Sequence, residues 1–104
     1  MSVNLDATLT ALAEPTRRRV VEVLRDGPRP AGELARCADT SAPAMSRHLR
    51  VLRSVGLVEA EVAAADARLR VYRLRKEPFE ALHAWLPRFW DDQLASFKAH
   101  SEQP

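Results

Sequence analysis

The chain has 104 residues, enough for one domain with its own hydrophobic core and too few for two of ordinary size. Its apolar share argues against global disorder, and no apolar run approaches the roughly 18–20 residues that cross a bilayer, so no membrane partner is expected. The net charge of +2 conceals an uneven distribution: residues 1–40 carry six basic and six acidic side chains, residues 41–76 eight and three, and residues 77–104 two and five.

Met1-Ser2-Val3-Asn4-Leu5-Asp6 lacks the basic start and apolar run of a secretory signal, and the single cysteine, Cys37, has no partner for an internal disulfide. Both lead to the expectation of a protein of the reducing cytoplasm. Leu5, Leu9 and Leu12, at i, i+4 and i+7, predict a short first helix over 5–13. Pro15 suits the first position of a second helix, with Val20, Val21 and Leu24 as its buried side and Gly27-Pro28 as its stop. Arg17, Arg18 and Arg19 fall in the first turn of that helix, where the macrodipole disfavours cations. They therefore call for partners: a carboxylate such as Glu14 or Glu22 for some, nucleic-acid phosphate for others, with a structural role favoured for Arg17. Pro30 opens a third, short helix in which Leu34, Cys37 and Ala38 are expected to face inward, and Ala38-Asp39-Thr40 makes a brief turn.

The next helix, over 41–54, is the most informative element. Ser41 is a plausible N-cap, Pro43 is tolerated in the first turn, and Met45, Leu49 and Leu52 form one apolar stripe. At about 100° per residue, Arg47, Arg50 and Ser54 point away from that stripe. A helix that packs by one side and offers arginines, hydroxyls and small alanines on the other can enter the DNA major groove, because the arginine fork matches the acceptors of guanine. The candidate DNA contacts here are Ser41, Ala42, Ala44, Ser46, Arg47, His48, Arg50 and Arg53. His48 sits at the edge of the apolar side, and a structural role and a phosphate contact both remain open for it. Gly56 closes the helix after Val55.

From Leu57 the period changes. Residues 57–62 and 69–75 read as two strands, joined by Ala63-Ala64-Ala65-Asp66-Ala67-Arg68. With no glycine or Asn-Gly to fix a turn type, this connection predicts a loose tip. A hairpin directly after a reading helix is a wing, and Arg68 and Arg70 are placed to reach the minor groove or phosphates. Pro78 opens a last helix over 78–99, kinked or split by Pro87. It carries Leu82, Trp85, Leu86, Phe89, Trp90, Leu94 and Phe97, more large apolar side chains than a domain of this size needs for its own wing. A dimer interface is expected from Trp85, Phe89, Trp90, Leu94 and Phe97 with Leu5, Leu9 and Leu12 of the first helix.

The fold class expected is thus mainly α with a small β-hairpin: a winged helix-turn-helix of about five helices and a two-stranded wing in one domain over 1–104. Its helix-turn-helix spans 30–54 and its wing 57–75. An enzyme is not expected, since the chain has no glycine-rich phosphate loop, nucleophile motif or paired carboxylates. A winged-helix module for protein–protein assembly alone would explain the aromatic last helix but not the arginines at 47, 50, 53, 68 and 70.

Five segments in this order carry a family resemblance: Leu12-Ala13-Glu14-Pro15-Thr16-Arg17-Arg18-Arg19, Gly32-Glu33-Leu34-Ala35, Ser46-Arg47-His48-Leu49-Arg50-Val51-Leu52-Arg53, Val55-Gly56-Leu57-Val58 and Arg70-Val71-Tyr72-Arg73-Leu74. From about Leu5 to Leu74 the chain resembles the arsenic-repressor-type (ArsR) family of bacterial transcriptional regulators. The resemblance implies a homodimeric repressor that binds double-stranded DNA at a palindromic operator, with the first and last helices making the dimer, and autoregulation is left open. Metal-sensing members of that family carry a Cys-x-Cys pair just before the Glu-Leu of the third helix, where this chain has Pro30, Ala31 and Gly32. Zinc-type members place Asp and His ligands along the last helix, and here only His83 and His100 occur, with Glu80, Asp91 and Asp92. Zinc or a thiophilic metal needs three or four converging ligands, so the expectation is a branch without a metal or other cofactor. A metal- or redox-responsive repressor, the latter through Cys37, is the alternative.

Overall fold

The computed structural model describes residues 3–89. Within them the elements are α1 (Leu5–Ala13), α2 (Pro15–Leu24), β1 (Arg29–Pro30), α3 (Ala31–Cys37), α4 (Ala42–Ser54), β2 (Val58–Ala63), β3 (Asp66–Leu74) and α5 (Lys76–Trp85). No described helix is long and apolar enough to cross a membrane.

Three of the helices start on a side chain that accepts an otherwise orphaned backbone N–H. Asn4 accepts from Ala7 at 3.0 Å, Glu14 from Arg17 at 2.9 Å and Ser41 from Ala44 at 3.2 Å. Glu14 sits in extended backbone between α1 and α2, so one residue ends the first helix and caps the second. Pro15 follows at the first helical position, and Arg17 turns back to donate from Nε to the carbonyl of Ala11 at 2.8 Å. The structural role expected of Arg17 is the observed one: it satisfies the C-terminal end of α1.

The buried core joins Ala11 of α1, Val20 and Leu24 of α2, Leu34 and Ala35 of α3, Met45, Leu49 and Leu52 of α4, and Leu57 and Val58 at the root of the wing. The stripe read on α4 is the one that is buried. In α1 the leucines do not share one environment. Thr8 and Ala11 take the inward face, Leu12 packs beside the core, Leu5 is half-buried and Leu9 is exposed. Thr8 can be fully buried because its hydroxyl donates to the carbonyl of Asn4 at 3.1 Å.

Cys37 corrects the expectation for α3: it is exposed, not inward. At about 100° per residue, Leu34, Ala35 and Ala38 lie within about 100° of one another, and Cys37 falls on the far side of Leu34 from the other two. The turn after α3 is held by Thr40 N–H donating to Ala35 and Asp39 N–H to Arg36, at 3.0 and 3.2 Å. Asp39 takes a left-handed conformation (φ 53°), a region that aspartate tolerates better than most residues.

The end of α4 is a Schellman motif. Gly56 N–H donates to Arg53 at 3.1 Å and Leu57 N–H to Leu52 at 2.9 Å, while Leu52 and Leu57 are both fully buried. The chain then leaves α4 at a fixed angle and enters β2. The sheet has three antiparallel strands in the order β1-β3-β2, so the two-stranded wing expected from sequence gains a third strand. Arg29 and Pro30 pair with Tyr72 and Val71, and a strand of two residues has no period to be read. The hairpin is also tighter than expected. Its strands run to Ala63 and Asp66, leaving Ala64-Ala65 as the turn, and Asp66 Oδ1 accepts from the N–H of Arg68 at 3.0 Å. That aspartate-to-backbone bond supplies the turn chemistry in place of glycine.

The last helix begins at Lys76, two residues before the expected Pro78, which is buried in the first turn where its missing N–H needs no partner. It is split as Pro87 demands: α5 ends at Trp85, Leu86 forms a turn, and helical backbone resumes over 87–89. Trp90, Leu94, Phe97 and His100 lie outside the described residues.

Two outcomes follow. Gly56 has φ +78° with open space where a Cβ would stand, so Gly56→Ala should cost about 1–2 kcal/mol through backbone strain alone, read as a lower denaturant midpoint with an unchanged slope. For Glu14, partial burial by itself raises the carboxyl pKa. The backbone N–H groups of Arg17 and Thr16 and the charges of His48 and Arg17 outweigh it and hold the group below its ordinary 4.5. A lowered carboxyl pKa stabilises the fold above the unfolded value, and that contribution is lost as pH falls below about 4.5 through the folded value. In acid titrations of stability, Glu14→Gln should show a shallower decline than the parent over that window.

Candidate nucleic-acid interface

With Met45, Leu49 and Leu52 buried, the opposite side of α4 centres on Arg47. Within about 60° of it, at about 100° per residue, lie Pro43, Ala44, Arg50, Val51 and Ser54. Arg47 and Arg50 are exposed, α4 contains no acidic residue, and neither arginine meets a carboxylate among the described residues. Ser41, Ala42 and Ser46 are exposed along the start of the helix, and Ala44 is half-buried. The Ser41 hydroxyl is occupied as the cap, and Ser54 Oγ donates back to the Val51 carbonyl at 2.7 Å, so Ser54 offers less to an outside partner than its position suggests.

Besides Ala42 and Ser46, which lie 100° or more round from Arg47 at the helix start, two candidates are placed apart from this face. Arg53 is exposed but lies about 120° round from Arg47, beside a cleft of about 390 Å³ that it shares with Val3, Asn4, Val55 and Pro78. His48 lies about 100° to the other side. It is half-buried, with Nδ1 3.7 Å from Glu14 Oε2. Val51 is absent from the candidates expected from sequence, although the helical angle alone sets it beside Arg47. It is a large apolar side chain, 37% exposed, on the outward face.

The hairpin sorts the remaining charges. Near its root, Arg73 pairs with Glu59 and with Glu61 at 3.4 Å, and Arg75 with Glu59 and Glu77 at 3.7 and 3.5 Å. Further out the charges are freer. Arg70, opposite Val62, is exposed and meets no carboxylate among the described residues. Beyond it the register shifts: Val62 pairs with Arg70 but Ala63 with Asp66, so Ala67, Arg68 and Leu69 have no opposite number. Arg68 projects from that bulge with its side chain 93% exposed, and its 3.4 Å pair with Asp66 contributes little in water. The basic excess read along 41–76 therefore resolves into cations tied at the wing's root and available ones on the outward face of α4 and the hairpin's outer part. Arg18 and Arg19 of α2 are exposed as well, Arg19 beside Glu22 at 3.8 Å.

Elsewhere, α1 packs on α5. Leu9, Leu86 and Phe89 are exposed by 40%, 50% and 53%, and the Trp85 and Phe89 rings meet edge to face at 4.8 Å. The described residues gather no group of three or more His, Cys, Asp and Glu side chains.

A family model for a helix-turn-helix domain matches residues 12–61. The chain is 42% identical to the HTH-type transcriptional regulator Rv2034 of Mycobacterium tuberculosis over 88% of this chain and 83% of that protein. Among solved structures, an ArsR family transcriptional regulator matches with a TM-score of 0.68 at 30% identity, covering 96% of this chain and 93% of its own. A homodimeric winged helix-turn-helix DNA-binding domain from Mycobacterium bovis matches with a TM-score of 0.64 at 27% identity, covering 86% and 80%. These relatives are regulators and not enzymes. With the helix-turn-helix, the wing and this likeness over most of both chains, the protein belongs to the ArsR family of winged helix-turn-helix transcriptional regulators.

Proposed function

We propose that the protein is a cytoplasmic homodimeric repressor that binds a palindromic operator, its own promoter among its targets, without a metal. The observation that carries the reading is the outward face of α4, where exposed Arg47 and Arg50 meet no carboxylate among the described residues, on a helix fixed by its buried stripe. Arg47 and Arg50 would read base edges. Ser41, Ala42, Ala44 and Ser46 would line the approach to the groove, and Val51 would offer an apolar contact to a thymine methyl. Arg68 and Arg70 would take phosphates or the minor groove, and Arg53 a phosphate further along the duplex. A repressor is supported by what such a dimer would do: spanning two successive major grooves, about 34 Å apart, it would occlude a promoter that overlaps its operator. That metal does not switch the repressor is supported by Pro30, Ala31 and Gly32 at the positions where metal-sensing members of the family need thiolates.

Dimerisation through α1 and the last helix is supported by exposed Leu9, Leu86 and Phe89, with Trp85 beneath Phe89, and by the homodimeric relative from Mycobacterium bovis. Leu5 and Leu12 would contribute from the inner side of α1, and Trp90, Leu94 and Phe97 would extend the interface.

The test is binding to DNA from upstream of its own gene, by footprint and by affinity at several salt concentrations. Arg47→Ala should cost about 1–3 kcal/mol and relax preference at one operator position. Arg70→Ala should weaken all sequences evenly and reduce the salt slope by about one phosphate's worth. Unchanged affinity in both, with folding intact, would move the DNA surface elsewhere. For the dimer, Phe89→Ala removes an exposed ring rather than a core one, so the monomer fold should persist while association weakens by about 2 kcal/mol. Sedimentation of the variant should show a shift toward monomer with weaker operator binding, since one reading helix loses the gain of engaging both half-sites. A fully dimeric Phe89→Ala protein would place the interface elsewhere.

A further inference from the structure

His48 lies within the segment that reads as the DNA-facing helix, yet it is not on the outward face. It stands about 100° from Arg47 on the helix, its side chain is only 21% exposed, and its Nδ1 lies 3.7 Å from Glu14 Oε2. That same oxygen accepts the N–H of Arg17 at 2.9 Å and so caps α2. Glu14 is therefore the one residue of the described chain that ends α1, starts α2 and meets the side of α4. A carboxylate in this position repels DNA phosphate, so His48 has little to offer as a phosphate contact while it faces Glu14.

We propose that His48 is a positioning residue: its contact with Glu14 fixes the rotation of α4 against the α1–α2 corner and so aims Arg47 and Arg50. The buried stripe of α4 sets which side faces inward, and His48 stands at its edge, within about 60° of Met45 and Leu52. At 3.7 Å the His48 imidazole and the Glu14 carboxylate are beyond hydrogen-bond reach but within ion-pair distance, and a roll of the helix would lengthen that contact. Because α1 is also a proposed dimer helix, the same contact ties the spacing of the two reading helices to the orientation of each. The inference rests on α4 being the DNA-facing helix.

The test separates the cap from the contact. Aspartate caps a helix as well as any residue, so Glu14→Asp keeps the start of α2, but its carboxylate is one methylene shorter and withdraws from His48. Glu14→Asp should keep the thermal midpoint of the parent and lose about fivefold in operator affinity, at an unchanged salt slope. His48→Gln should lose a similar factor, and the double variant should bind no worse than either single one, because each removes the same contact. Arg47→Ala, measured alongside, tests the reading beneath the inference. If Arg47→Ala weakens binding while Glu14→Asp binds like the parent, the positioning role is wrong and the DNA face stands. If the two single losses multiply in the double variant, the residues act separately and the proposal also fails. If His48→Gln flattens the salt slope and Glu14→Asp tightens binding, His48 is a phosphate contact. If Arg47→Ala changes nothing, α4 is not the DNA-facing helix and the inference falls with it.

Discussion

Everything on the proposed DNA side depends on the burial of Met45, Leu49 and Leu52 against the α2–α3 core. Each fully buried side chain of this size contributes about 1.5–3 kcal/mol of apolar transfer free energy. Turning α4 by one residue, about 100°, would carry part of the stripe into water and drive charged side chains into a core with no partner for them. The helix is therefore held to one side, and the direction of Arg47 and Arg50 follows from residues that face away from them.

The two ends of α4 extend that control to the rest of the molecule. At its start, the four residues between α3 and α4 include Asp39 in a left-handed conformation, with the Thr40 and Asp39 amides bonded back to α3. At its end, the Schellman motif closes with Leu57 buried on Leu52, so the first residue beyond the helix is already part of the core. The wing's root is then pinned by Val58, Tyr72 and Leu74 against the core and by the Arg73 and Arg75 ion pairs at its flank. Pairing those arginines with Glu59, Glu61 and Glu77 leaves Arg68 and Arg70 as the available cations of the hairpin. The chain's modest total charge is compatible with a local basic face because the acids are spent where the wing meets the body.

What could be read in the sequence was periodicity over a full helix and punctuation by strong residues. The stripe of α4, the cap at Ser41, Pro15 at the start of α2, Gly56 after α4 and the break at Pro87 all rest on such signals, and each has its counterpart in the structure. Short elements and exact angles were not legible. Arg29 and Pro30 form a strand only because β3 lies alongside, which is a tertiary fact. The i+3 spacing to Leu34 points Cys37 inward, yet in a seven-residue helix that spacing cannot outvote Ala35 and Ala38. The tip at Ala64-Ala65 carries no turn residue of its own, and its turn chemistry comes from Asp66 one residue later. The neighbour of His48 across the fold is Glu14, thirty-four residues earlier in the chain, which no local pattern supplies.

The central claim is that the outward face of α4 and the outer part of the hairpin meet DNA while α1 and α5 do not. The most direct measurement is a titration of the isotope-labelled protein with a duplex from its own promoter, following backbone amide signals. The account predicts perturbations concentrated on Ser41–Arg50 and on Arg68 and Arg70, with those of α4 stronger for the promoter duplex than for an unrelated one of equal length. Perturbations concentrated on α1 and α5, with the amides of Arg47, Arg50 and Arg70 unmoved, would contradict it.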